Sequence, residues 1–160
     1  MHIQTHIMAG WCTANLLPNL CKRQRLFAMI AAVVPDLDGL SIIAGQDAYW
    51  NWHLRAGHNL LFCIISCLVL AVFSPTRIKS FVLYAAQFHL HLFMDIVGSG
   101  PGWGIYYFWP FSSRCFDNSE LSWEFYSWQN ITIAATLFAG ADRDHLLEKA
   151  YAAGGDHAQA

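Results

Sequence analysis

Ile78-Lys-Ser-Phe-Val-Leu-Tyr-Ala-Ala-Gln-Phe-His-Leu-His-Leu-Phe-Met-Asp-Ile-Val97 is the stretch that decides how the chain is read. As a helix it is long enough to cross a hydrocarbon core of about 30 Å. It nevertheless carries His89, His91 and Asp95, which a helix bathed in lipid would not tolerate. His91 and Asp95 are four residues apart and share one helix face, with Tyr84 and Phe88 on the same stripe. His89 points away from that face, toward a supporting role or a membrane interface. Imidazole and carboxylate in apolar surroundings are costly unless they find partners. The stretch therefore predicts a helix whose polar face meets other helices.

Working outward, the rest also reads as helical. A first helix runs from about Ile3 to Leu17 and stops at Pro18. Lys22, Arg23 and Arg25 form a basic connector. A second apolar helix covers Leu26 to Val34 and ends before Pro35, because the residue before proline avoids the helical region. Pro35 to Asn51 reads as a turn, a short apolar piece and a loop, punctuated by Gly39 and Gly45. Leu60 to Phe73 is apolar without a charge, and about 21 Å long as a helix. After Val97 come a glycine-rich loop, an aromatic stretch stopped by Pro110, and a last apolar helix over Phe125 to Gly140. Residues 1–140 form one domain; residues 141–160 are a polar, frayed tail in which His145 and His157 are solvated.

Composition fits a chain that shows little of itself to water. Hydrophobic residues make up 56% and charged residues 12% of 160, against roughly 25% charged in soluble domains. Much of the surface is expected to face lipid or a partner. The alternative is an unusually apolar soluble bundle. Net charge is −2, so no global field draws nucleic acid. Five cysteines without a CxxC pair argue for thiols rather than a disulfide framework. The start of the chain does not read as a secretory signal peptide. The basic residues at Lys22–Arg25 and at Arg77 and Lys79 would sit on the cytoplasmic side if the helices span. The seven tryptophans suit either core packing or an interfacial belt.

The candidate site residues each allow a bland reading as well as a chemical one. His91 and Asp95 can ligate one ion, or form a simple helix-surface hydrogen bond. His53 and His58 are five apart, 140° around a helix, and converge only if His53 precedes a helix that His58 begins, with Gly57 permitting the bend. Otherwise they are ordinary loop histidines. Arg55 between them could hold an anionic group. Asp36 could cap a short helix, or Asp36 and Asp38 could divide labour, one on a metal and one taking a proton. Of the pair His2 and His6, His6 is the better ligand because a chain end frays. One polar cluster, built from several helices around a metal ion, accounts for all of these residues together.

The order His6, Pro35-Asp-Leu-Asp38, His53-x4-His58, His91-x3-Asp95, a Gly/Pro loop and Trp109-Pro-Phe-Ser-Ser-Arg-Cys-Phe116 resembles the YdjM-type family. That family is described as inner-membrane-associated proteins proposed to be metal-dependent hydrolases. The resemblance covers roughly residues 5–116. It implies an all-α, compact, multi-helix, membrane-associated bundle with a buried His/Asp site, crossing the inner membrane several times. It also suggests a distant similarity to the zinc phospholipase C and nuclease superfamily. Carried over by position, His6, Asp38, His53, His58, His91 and Asp95 would bind metal, and Asp36, Asp38 and Arg55 would serve catalysis. The middle motif departs from the family pattern, with Leu54 directly after His53 and Gly57 before His58. No further histidine follows Asp95 until His145, so one or two ions are expected rather than three.

The function expected is hydrolysis, dependent on a divalent metal with zinc the expected ion, of a small or lipid-like ester or phosphoester at the membrane. The rival is a non-catalytic binding or regulatory membrane protein with a structural ion. A transporter using intramembrane His and Asp is a third, weakened by the absence of an inverted repeat.

Overall fold

The computed structural model describes residues 1–155, those from 142 onward by their backbone alone. His157 lies outside the described residues, and His145 in the part described by backbone only. Among the described residues the secondary structure is helical, with one isolated bridge between Ile105 and Phe116. The helices are α1 (Ile3–Asn15), α2 (Lys22–Ala31), a 3-10 helix (Val34–Ala44), α3 (Gln46–Trp52), α4 (Leu60–Val72), α5 (Arg77–Gly98) and α6 (Trp128–Gly155). This is the all-α bundle expected.

Several boundaries differ from the sequence reading, each for a local reason. Lys22 to Arg25 is the first turn of α2 rather than a connector, because Gln24 Oε1 accepts from the Cys21 N–H at 3.1 Å and closes a capping box. Pro35 opens the 3-10 helix instead of breaking the chain, since a first-turn proline lacks only an N–H that would be unpaired anyway. Gly45, at φ 109°, separates that helix from α3. Asn59 caps α4 by accepting from the Phe62 N–H at 2.8 Å. The last helix begins at Trp128 rather than Phe125 and continues past Gly140 to Gly155.

At two helix contacts small residues face inward, while Tyr84, Phe88 and Leu92 of α5 fill the middle of the core. On α4 the small residues Cys63, Cys67 and Ala71 are buried, whereas Leu61, Ile64, Ile65, Leu68, Val69 and Val72 face outward. Against α1, α2 likewise buries Ala28 and Ala31, and a Cβ on Gly10 would meet the Ala32 Cβ at 2.8 Å. Small residues at helix contacts with large apolar ones outside is the arrangement lipid favours, because backbones approach closely and the outer face needs no water. The interior polar groups pair with one another. Gln24 Nε2 donates to Thr76 Oγ1 and Ser80 Oγ at 2.9 Å each, and Thr13 Oγ1 donates to Gln87 Oε1 at 3.0 Å. The tryptophans divide: Trp123 packs against the core cluster of Met1, Ala9 and Met94, whereas Trp50, Trp52 and Trp128 are exposed.

Only α5 is long and apolar enough by itself to cross a bilayer among the described residues. Lys22–Ala31 and Val34–Ala44, bent by 48°, would form a second crossing if they act as one. The multi-pass arrangement expected from the sequence is therefore not supported; length and composition leave one or two candidate spans.

Gly10→Val should overpack the α1–α2 contact, at a cost of about 1–3 kcal/mol. Gly140→Ala, whose Cβ would lie an ordinary 3.6 Å from the Cys12 Sγ, should hold or raise stability. Thermal unfolding in detergent, followed by circular dichroism, separates the two; equal melting for Gly10→Val and the parent would mean that the helices are not so closely set.

Candidate metal centre

Three elements bring the acidic and imidazole groups together. The 3-10 helix presents Asp36 and Asp38, the segment between α3 and α4 presents His53 and His58, and α5 presents His91 and Asp95. Asp38 organises the middle segment. Its Oδ2 accepts from the backbone N–H of Leu54 at 3.0 Å and of Gly57 at 2.9 Å, and from His58 Nδ1 at 2.9 Å. Its Oδ1 pairs with His53 Nδ1 at 2.7 Å. The turn is made by Leu54, at φ 70°, and not by Gly57 as expected. Gly57 is needed for another reason: a Cβ there would stand 2.1 Å from the Pro35 carbonyl oxygen and 3.0 Å from the Asp38 carboxylate.

Four side chains then converge on one point: Asp36, His58, His91 and Asp95, the last three buried. His58 Nε2 and His91 Nε2 are 3.2 Å apart. From Asp95 Oδ2 they lie at 3.3 and 3.1 Å, and from Asp36 Oδ1 at 3.8 and 3.5 Å. Donors at the usual zinc distance of about 2.0–2.1 Å in a tetrahedron would be separated by about 3.3–3.4 Å. The observed separations bracket that value.

The far nitrogens settle what the near ones can do. His91 Nδ1 faces the Ala32 carbonyl oxygen at 2.8 Å, and His58 Nδ1 faces the Asp38 carboxylate. Both partners only accept, so both Nδ1 atoms carry protons, and the neutral rings present Nε2 lone pairs to each other and to two carboxylates. Four lone pairs meeting in a buried site require positive charge among them. An outer N–H held by a carboxylate or carbonyl is also the usual support of a metal-binding histidine. The donor set thus fits a divalent cation. Without a cation among them a proton on His58 would meet the same demand: burial lowers its pKa, but the hydrogen bonds to Asp38 and Asp95 outweigh it and push it up to about 9.

The remaining candidates lie around this centre in different roles. His6 is buried against it, with Nε2 at 3.1 Å from Asp95 Oδ1 and its ring 3.9 Å from that of His91. Burial lowers its pKa despite Asp95, and its Nδ1 is without a hydrogen-bond partner. Asp95 Oδ1 also accepts from Ser99 Oγ at 3.1 Å and from the Met1 amino group. Asp38, His53 and His58 form a second acid–imidazole group sharing His58 with the first. Arg55 lies over the Tyr106 ring, 4.6 Å from its centroid, with Nη2 at 3.4 Å from the phenol, and does not line the cleft beside the centre. His89 stands apart, exposed, pairing with Ala85 O and the Tyr107 phenol at 2.7 and 2.8 Å.

Asp36, Asp95 and His53 line one side of a cleft of about 630 Å³. Tyr49, Trp50, Trp103, Phe125 and Tyr126 supply its aromatic walls. His53 is stacked on Tyr49 at 4.5 Å and set edge-on to Trp103 at 5.5 Å. Burial raises the Tyr49 pKa, and Asp38, Asp36 and Asp95 raise it further. Sequence reading missed these wall residues, because aromatic side chains scattered over 49–126 carry no spacing signal.

The chain matches the family model described as YdjM inner membrane protein over residues 1–154, and it belongs to that family. No curated protein and no solved structure matches it.

Asp36→Ala deletes one donor of the four, whereas Asp38→Asn keeps all four and loosens the support of His58 together with the rest of residues 53–58. Loss of a supporting partner typically weakens metal binding by about 10–100-fold. Competition titration with a chromophoric chelator should therefore show weakened but measurable binding for Asp38→Asn and a greater loss for Asp36→Ala. The reverse order would put Asp38, not Asp36, on the ion.

Proposed function

We propose that this member of the YdjM inner membrane protein family is a metal-dependent hydrolase of an ester or phosphoester, working at the inner membrane. The convergence of Asp36, His58, His91 and Asp95 beside an aromatic-walled cleft is the observation that carries this reading. Two imidazoles and two carboxylates suit zinc. When bound, such an ion polarises a carbonyl or phosphoryl oxygen and brings the acidity of water toward neutral pH. The similarity to zinc phospholipases and nucleases, read from His91-x3-Asp95, belongs to the same proposal.

The chain's own groups then have separable tasks. Asp36 and Asp95 reach the cleft, while His58 and His91 are buried and do not line it. Asp38 already accepts four hydrogen bonds, which suits it to holding its neighbours more than to taking a proton. His53 is better placed for that: Asp38 holds its Nδ1–H, Nε2 is left as the basic nitrogen, and the ring lines the cleft. Arg55, engaged by Tyr106, would have to leave that ring to meet an anionic substrate.

One observation favours the rival reading of a structural ion. Four protein donors around one point is the pattern of closed structural sites, whereas catalytic zinc usually keeps three and an open position. Access of Asp36 and Asp95 to the cleft weighs the other way.

Purified protein should hydrolyse a chromogenic ester or phosphoester with activity removed by chelator and restored by zinc. His53→Gln should lower kcat by about 10²–10⁴-fold while metal content stays at the parent level. Chelation that melts the fold, with no hydrolysis across carboxyl ester, phosphomonoester and phosphodiester substrates, would leave the structural ion as the better account.

A further inference from the structure

Charge is sorted along the bundle. Lys22, Arg23 and Arg25 at the start of α2 and Arg77 and Lys79 at the start of α5 belong to one end. Contacts tie them together: Arg23 Nη1 donates to the Phe73 carbonyl at 3.1 Å, Gln24 reaches Thr76 and Ser80, and Arg25 Nη1 donates to the Ala14 carbonyl at 2.7 Å. The metal centre lies at the other end. Asp95 follows Arg77 by 18 residues of continuous helix, a rise of about 27 Å, close to the thickness of a hydrocarbon core.

Acids show the opposite distribution. No Asp or Glu occurs in 1–35 or 52–94, which include the starts of α2 and α5. Asp36, Asp38, Asp47 and Asp95 stand around the centre, and Asp117, Glu120 and Glu124 follow in the segment 99–127. That segment is fastened to the same end: the Trp123 N–H donates to the Val97 carbonyl at 2.9 Å, and Asn130 Nδ2 donates to the Gly98 carbonyl at 2.7 Å. Exposed aromatics gather there too. Trp50, Trp52, Phe111, Tyr126 and Trp128 are all open to the surroundings, as aromatic side chains at a membrane–water boundary are.

We infer that the metal centre and its cleft open at the non-cytoplasmic surface of the inner membrane, and that the substrate is met in that leaflet or the water beside it. Lysine and arginine bias sets orientation, and the end that carries Lys22, Arg23, Arg25, Arg77 and Lys79 is the end retained in the cytoplasm. Arg55 and Arg114 stand toward the opposite end, each held over an aromatic ring. The inference follows from the charge layout and the position of the cleft, and holds whether or not the centre hydrolyses anything.

Two native thiols report the two ends. Cys21 precedes α2 at the basic end and Cys115 lies in segment 99–127; both are exposed, whereas Cys63 and Cys67 are buried. Spheroplasts expressing the full chain are treated with a membrane-impermeant maleimide before and after permeabilisation. The Cys21→Ser protein, keeping Cys115, should label in intact spheroplasts. The Cys115→Ser protein, keeping Cys21, should label only once they are opened. Glu120→Cys in a chain lacking both thiols gives a second reporter for the cleft end and should behave as Cys115 does. Labelling of Cys21 from outside, or of Cys115 and Glu120→Cys only after opening, overturns the inference. Metal content of the same purified proteins is read separately, so a wrong orientation and a wrong metal centre give different results.

Discussion

The carboxylate of Asp38 is the constraint on which the site depends. One buried group accepts two backbone N–H bonds and two imidazole N–H bonds, and all four come from residues 53–58. A loop with no regular structure of its own is thereby fixed to the 3-10 helix. The cost of burying an ionised acid is offset only when its acceptor capacity is filled, and here it is. His58 gains its orientation from this arrangement, and through His58 the 3-10 helix is brought into register with α5. Leu54 in a left-handed conformation, typically costing about 1–3 kcal/mol, is tolerated because its N–H is held by the same acid.

Lipid-like packing and the polar centre are two sides of one arrangement. Helices that meet through Gly10, Ala28, Ala31, Cys63 and Cys67 come close enough for short side chains to converge between them. The outward faces of α4 and the 3-10 helix carry large apolar residues that would be a liability in water. Hydrogen bonds such as Ser74 with Tyr84, at 2.6 Å between hydroxyls, leave little interior polarity unmatched.

Much of this was legible from the sequence, and the rest was not for identifiable reasons. Periodicity located α1, α4 and α5, and the four-residue spacing of His91 and Asp95 placed both on the buried face of α5. The helical segment after Pro35 was hidden because proline looks the same whether it ends one helix or starts another. The distinct surroundings of Asp36 and Asp38 could not be read either: in the 3-10 helix they face different neighbours, and only the position of residues 53–58 tells which is which. The aromatic cleft depends on contacts between segments far apart in the chain, beyond the reach of local pattern.

The lengths of α4 and α5 have a consequence for the bilayer itself. Thirteen residues of α4 present an apolar height of about 20 Å, beside a neighbour of 22 residues and about 33 Å. Were α5 set across a bilayer, α4 beside it would be too short to span, and lipid on that flank would have to compress or tilt to cover it, at fractions of a kcal/mol for each ångström of mismatch. In that setting the lipid annulus would be deformed unevenly, with a dimple on the α4 flank and ordinary thickness beside α5.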